Sequence, residues 1–213
     1  MRTDDLVDLL STGIAPVKGG VPARRFGIAL LLAATGATLL MIALLGIRPD
    51  LAVVARTALF WEKLAFPLCV AIGAGISAIR LARPGARVGS GWPVMAAPVL
   101  LVWIAGIAVV AAALPQDRLP AVLGQSWRVC PFNILLLSLP GFAAIMWAVR
   151  GLAPTRPRLA GAVCGLLASS ISTVAYCFHC PEMSPAFWSV WYLLGMLIPA
   201  SIGALIGARI LRW

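Results

Sequence analysis

Residues 26–47 read FGIALLLAATGATLLMIALLGI, a run with no charged side chain. About 20 apolar residues suffice for a helix to cross the hydrocarbon core of a bilayer. Arg24 and Arg25 stand before this run, and Arg48 and Asp50 follow it. Working outward, five more stretches are long and predominantly apolar: residues 58–81, 92–114, 131–149, 159–176 and 187–208. The reading is an all-α, polytopic membrane protein with six transmembrane helices. Composition agrees. Of 213 residues, 62% are apolar and 11% charged, against about 25% charged and 45–50% apolar in a soluble domain. A chain this short has no soluble core large enough to hide that surface; a bilayer does so. The longest connection covers residues 115–130.

The net charge of +10 raises nucleic acid as a partner, but the basic residues sit in short clusters between apolar runs, where membrane topology places them. No direct nucleic-acid contact is expected. One set of connections, with the N-terminal side, carries Arg2, Lys18, Arg24, Arg25, Arg80, Arg83, Arg87, Arg150, Arg156, Arg158, Arg209 and Arg212, twelve in all. The opposite set has five: Arg48, Arg56, Lys63, Arg118 and Arg128. The positive-inside rule puts the twelve in the cytoplasm, giving an N-in/C-in bundle in a bacterial inner membrane. The start, MRTDDLVDLL, is acidic and amphipathic rather than basic and then apolar. It is therefore expected to be a retained tail and not a signal peptide.

Residues 1–25 thus divide from residues 26–213, the transmembrane domain. Within the tail, Thr3 is placed to cap a helix whose first turn holds Asp4 and Asp5 at the positive end of the dipole. Leu6, Leu9 and Leu10 then share one face with Asp8 on its rim, and Gly13 is the expected stop. Residues 13–22 read as a Gly- and Pro-containing tether. An anionic inner leaflet favours a basic helix, so this acidic one suits a protein groove with a basic rim better than lipid.

Five cysteines fall into two groups. Cys69 and Cys164 lie inside spans and read as small apolar residues. Cys130 precedes the fourth span, and Cys177 and Cys180 follow the fifth with His179, the sole histidine, between them. With six crossings these four meet at the outer face. That compartment is oxidising, so thiols there form disulfides or bind metal. Arg128 and His179 would favour thiolates. Two or three thiolates with an imidazole would suit a soft or borderline ion such as Cu, Zn or Cd, as a signal rather than a resident cofactor. Cys130 with Cys180 is the expected long-range bond, each standing beside a proline at a helix end, and Cys177 with Cys180 has Cys-x-x-Cys spacing. A plain stapling disulfide, a redox or metal-responsive switch and a catalytic thiol site are all open on these residues.

Within the spans, Pro67, Pro98, Pro140 and Pro199 each free a carbonyl that must find another partner. Pro140 and Pro199 are candidates for a moving kink. Gly161-x-x-x-Gly165 and Gly203-x-x-x-Gly207 offer close-approach faces, expected to pack within the bundle rather than between copies. Glu62 and Lys63 read as interface anchors of the second span.

The opening MRTDDLVDLL, GIRPDLA at 46–52, RPRLAGA at 156–162, HCP at 179–181 and the closing GARILRW together resemble the NrsF family. Its members are six-helix inner-membrane anti-sigma factors, named as negative regulators of sigma F. The resemblance implies a non-enzyme that sequesters an extracytoplasmic-function (ECF) sigma factor and releases it on metal or oxidative stress. It maps sigma binding onto Asp4, Asp5 and Leu6 with their neighbours Asp8, Leu9 and Leu10. It maps the two sensing cysteines onto Cys130 and Cys180, and Cys177 is an addition to that pattern. Two other readings stand beside it. A quinone-linked thiol-disulfide oxidoreductase would use the Cys177/Cys180 pair, but the odd number of outer cysteines argues against it. A small metal transporter would need ionisable residues along its spans, and apart from Glu62 and Lys63 there are almost none.

Overall fold

The computed structural model describes residues 3–12, 21–83, 85, 88–152 and 154–212. Arg2, Lys18, Arg87 and the expected stop and tether at 13–20 lie outside the described residues. Among the described residues the chain forms helices and no strand, and six helices are long and apolar enough to cross a membrane. All six expected spans are found, with ends shifted by no more than four residues.

In chain order, helix α1 covers Thr3–Ser11. Helix α2, Val21–Leu40, continues through a π-helical turn at Met41–Leu45. A short α3, Leu51–Val54, leads into α4, Ala58–Leu81, and then comes α5, Gly91–Ala112. The long connection is itself partly helical, as α6, Pro115–Leu123. Then follow α7, Cys130–Arg150, and α8, Pro157–Tyr176. The last span begins as α9, Pro185–Phe187, passes a second π turn at Trp188–Tyr192, and ends as α10, Leu193–Ile210. Six crossings return the chain to the end of the bundle where α2 began. That end is called here the tail end, and the other the cysteine end.

Helix α8 is the hub, packed by α10, α4, α7 and α2. Its polar residues can be central because they are satisfied locally. Ser169, Ser170, Ser172 and Thr173 are fully buried. Each hydroxyl donates to a carbonyl of its own helix, and that of Ser169 also donates to Met196 O at 3.0 Å. A hydroxyl paired in this way carries little of the penalty an unpaired one would incur in hydrocarbon. The glycine faces do pack within the bundle. A methyl group on Gly161 would strike the carbonyl oxygen of Gly203, and one on Gly203 would strike the carbonyl oxygen of Gly161. Gly165 stands in the same relation to the Pro199 carbonyl. Here α8 and α10 touch backbone to backbone, which only glycine permits.

Helix α2 is held differently. It lies along α7, where Gly36 meets Pro140 and Gly141 meets Ala33. On its other side an apolar cleft of about 490 Å³ opens between α2, α4 and α8, lined by Leu30, Met41, Ile47, Leu68, Ile171 and Phe178 among others.

Candidate functional site

The cysteine end is built by three chain segments. Helix α7 begins at Cys130; its preceding turn, 124–129, folds over the end of α8, and the chain after α8 carries Cys177 to Met183. The sequence placed these cysteines together, and they are together: Cys130, Cys177 and Cys180 join one apolar cluster with Ile134, Tyr176, Phe187, Trp188 and Tyr192. The outer face to which it assigned them did not imply burial, and within this end of the bundle they are buried. All three side chains are 0% exposed, and all are free thiols. The reason is an aromatic and carboxylate roof. The Trp127 and Trp191 rings pack at 5.2 Å, and Trp191 Nε1 donates to Val122 O at 2.9 Å. Glu182 Oε1 accepts from the backbone N–H groups of Gln125 (2.7 Å) and Ser126 (3.1 Å) and from Ser126 Oγ. This clamps the turn in which Gly124 adopts a positive φ of 56°. Ser126 Oγ lies 3.9 Å from Cys180 Sγ.

The charges expected beside the thiols are elsewhere. Arg128 stacks on the Trp127 ring, 5.0 Å from its centroid. His179 turns its Nδ1 to Gly46 O at 2.9 Å. The cation that does enter the cluster is Lys63. It is 0% exposed, so it is not an interface anchor; its neighbour Glu62, about 100° round the helix, is the exposed one. Lys63 Nζ donates to Cys180 O at 2.7 Å and lies 5.8 Å from the centroid of the Tyr192 ring. The Cys177 thiol donates to Lys63 O at 3.7 Å. The Tyr192 hydroxyl, buried beside the sulfurs of Cys177 and Cys180, makes no hydrogen bond of good geometry. Burial pushes the Cys177 thiol up to about 12, with nearby Lys63 pulling the other way. It is therefore a protonated, slow nucleophile at neutral pH.

A second cation reaches the same carbonyl. Arg48, 7% exposed, donates from Nη1 to Cys180 O at 3.1 Å while Nε and Nη2 hold the Asp50 carboxylate at 2.7 and 2.8 Å. The fork holds the Asp50 carboxyl below its ordinary range and raises the guanidinium. The Arg48 backbone N–H donates to Phe178 O at 3.1 Å. Sequence reasoning counted Arg48 among the sparse charges on its side and quoted it within GIRPDLA at 46–52, but gave it no role.

No group of three or more His, Cys, Asp or Glu side chains is arranged to hold a metal ion among the described residues. At the other end of the chain, every residue of α1 is exposed. Leu6, Leu9 and Leu10 face outward at 43%, 68% and 63% exposure.

The family model described as negative regulator of sigma F, NrsF, matches residues 10–213. The chain belongs to the NrsF family. It is 43% identical over 213 residues to a protein of Azospira oryzae named probable anti-sigma-F factor NrsF, covering all of both chains. It is 36% identical over 214 residues to the anti-sigma-F factor NrsF of Caulobacter vibrioides, again covering all of both. No solved structure matches it. In this NrsF-family chain, then, three of the five thiols are concentrated at one end of the bundle, and an exposed acidic, leucine-bearing helix precedes the other end.

Proposed function

We propose that this protein is a membrane-bound anti-sigma factor of the bacterial inner membrane. It holds an ECF sigma factor in the cytoplasm through Asp4, Asp5, Leu6, Asp8, Leu9 and Leu10, and releases it when Cys130 and Cys180, assisted by Cys177, meet an oxidant. The observation that carries this reading is the full-length identity to two anti-sigma-F factors. The geometry supports it. Three leucines exposed on one face of a short helix form a surface that a partner groove covers, and buried free thiols form a store of reducing equivalents inside the opposite end.

The sensing step is an oxidation. The thiols of Cys130 and Cys180 give two electrons and two protons to hydrogen peroxide, one S–S bond forms, the two S–H bonds and the O–O bond break, and two waters leave. The donor set favours this over metal capture, since His179 is engaged with Gly46 and not aimed among the sulfurs. Coupling of about 1–3 kcal/mol between the two ends is enough to release a partner several-fold to a hundredfold.

The test is co-purification of the tagged full chain from untreated cells, beside a chain lacking residues 2–20. A sigma factor retained by the first and lost by the second is the expected result. Equal retention by both would remove the tail from the reading, and no sigma factor with either would remove the reading itself.

A further inference from the structure

The cysteine segment and the start of α2, which follows the tail, lie at opposite ends of the bundle, and α2 itself joins them. Helix α2 with its π turn runs from Pro22 to Leu45, about 36 Å at 1.5 Å per residue. Its first residues follow the tail. Beyond its far end, the Gly46 carbonyl meets His179 Nδ1, the Arg48 N–H meets Phe178 O, and Arg48 Nη1 meets Cys180 O and lies 3.6 Å from Met183 Sδ. Gly46 turns its carbonyl there through a φ of 78°, open to glycine and costly for other residues.

We infer that Arg48 is a positioning residue of the sensor: it latches the end of α2 to the Cys180 carbonyl, and loss of that latch carries a change at the cysteines to the tail. This rests on the sensing reading proposed above. The Cys180 carbonyl is the only hydrogen-bond acceptor of Lys63 Nζ among the described residues, and it also receives Arg48. Two buried hydrogen-bond donors therefore depend on where one backbone oxygen sits. A disulfide fixes the side-chain torsions and Cα spacing of both its cysteines, and the Cys180 carbonyl moves with its Cα. Arg48 has an alternative, because Asp50 holds its other nitrogens and is itself half-exposed. When the carbonyl leaves, Arg48 stays with Asp50, and the end of α2 is held to the segment 178–183 only by the Gly46–His179 and Arg48 N–H–Phe178 contacts, which then open more readily. The cleft beside α2 gives it somewhere to go; α8, by contrast, is locked to α10 by the glycine contacts.

The experiment uses the full chain in native membranes and three readouts: retained sigma factor, the thiol state of Cys130 and Cys180 by alkylation gel shift, and amide exchange at residues 46–52. Arg48→Gln is expected to lose retained sigma factor about fivefold or more without oxidant, with both cysteines still thiols. Asp50→Asn leaves the Cys180 contact and is expected to lose much less, so it keeps the test open if Arg48→Gln lowers the amount of chain in the membrane. In the wild-type chain, peroxide is expected to speed exchange at the Arg48 amide. If Arg48→Gln retains and releases sigma factor as wild type does, or if exchange at 46–52 is unchanged by peroxide while sigma factor leaves, the latch is wrong and cysteine sensing stands. If Cys130→Ser with Cys180→Ser still releases on peroxide, the sensing reading fails first and the latch falls with it.

Discussion

Helix α1 and the segment from Cys177 to Met183 are of similar length, and each mixes polar and apolar residues, yet one exposes every residue while the other buries both its cysteines and leaves only Pro181 exposed. In α1, Leu9 is 68% exposed; in the other segment, Cys177 and Cys180 are 0% exposed. The difference lies in what each backbone can reach. The cysteine segment is tied to α2, α4 and the 124–129 turn by Arg48, Lys63 and Glu182. Three exposed leucines in water are a cost, and covering them contributes about 25 cal/mol per Å² of apolar surface. One region is finished within the chain, and the other has an apolar face that the described residues leave uncovered.

The most direct way to break this contrast is thiol labelling of the detergent-solubilised chain at pH 7.5. A cysteine introduced as Ser11→Cys should react with maleimide at least about 100-fold faster than Cys177, whose burial keeps it protonated. Comparable rates would show that the cysteine end opens as freely as the tail. Next, Gly161→Val should destabilise the bundle by about 3 kcal/mol or more by forcing a side chain onto the Gly203 carbonyl. Thermal unfolding in detergent reads this, and an unshifted midpoint would contradict the backbone contact. By contrast, Leu9→Asp should leave that midpoint unchanged within about 0.5 kcal/mol while weakening sigma-factor binding about 10- to 100-fold. A titration with the purified partner decides it; a shifted midpoint would mean that the tail packs on the bundle. The smallest effect concerns pH. Because the Cys177 value is raised in the folded chain, its contribution is complete below the ordinary thiol value of about 8.5 and is lost as pH rises toward about 12. The unfolding midpoint should fall over that window, and Cys177→Ala should flatten the fall.

Much of this was legible in the sequence because the bilayer reads sequence coarsely. Six apolar runs bounded by arginines need little more than length and composition to be recognised, and the meeting of Cys130 with Cys177 and Cys180 follows from counting crossings. Burial of the thiols did not follow, because the roof over them comes from Glu182 reaching back to Gln125 and Ser126, a contact between segments that no local pattern encodes. Lys63 was misread by its neighbour. Beside Glu62 it looked like half of an interface pair, yet it lies on the stripe Phe60, Lys63, Phe66, Val70, Ala74, all buried. Helical spacing alone placed it inward, and that was the signal to have followed. Arg48 had no such signal, since its role depends on where one carbonyl 132 positions away in sequence falls.

The glycine seam between α8 and α10 has a mechanical meaning. A rod transmits a small push from end to end only if its bearing does not yield. Side-chain contacts are springs with rotameric slack; a carbonyl resting on a glycine Cα has none. Gly161 and Gly203 therefore give the hub and its partner a bearing without rotameric slack, the stiff side of the bundle.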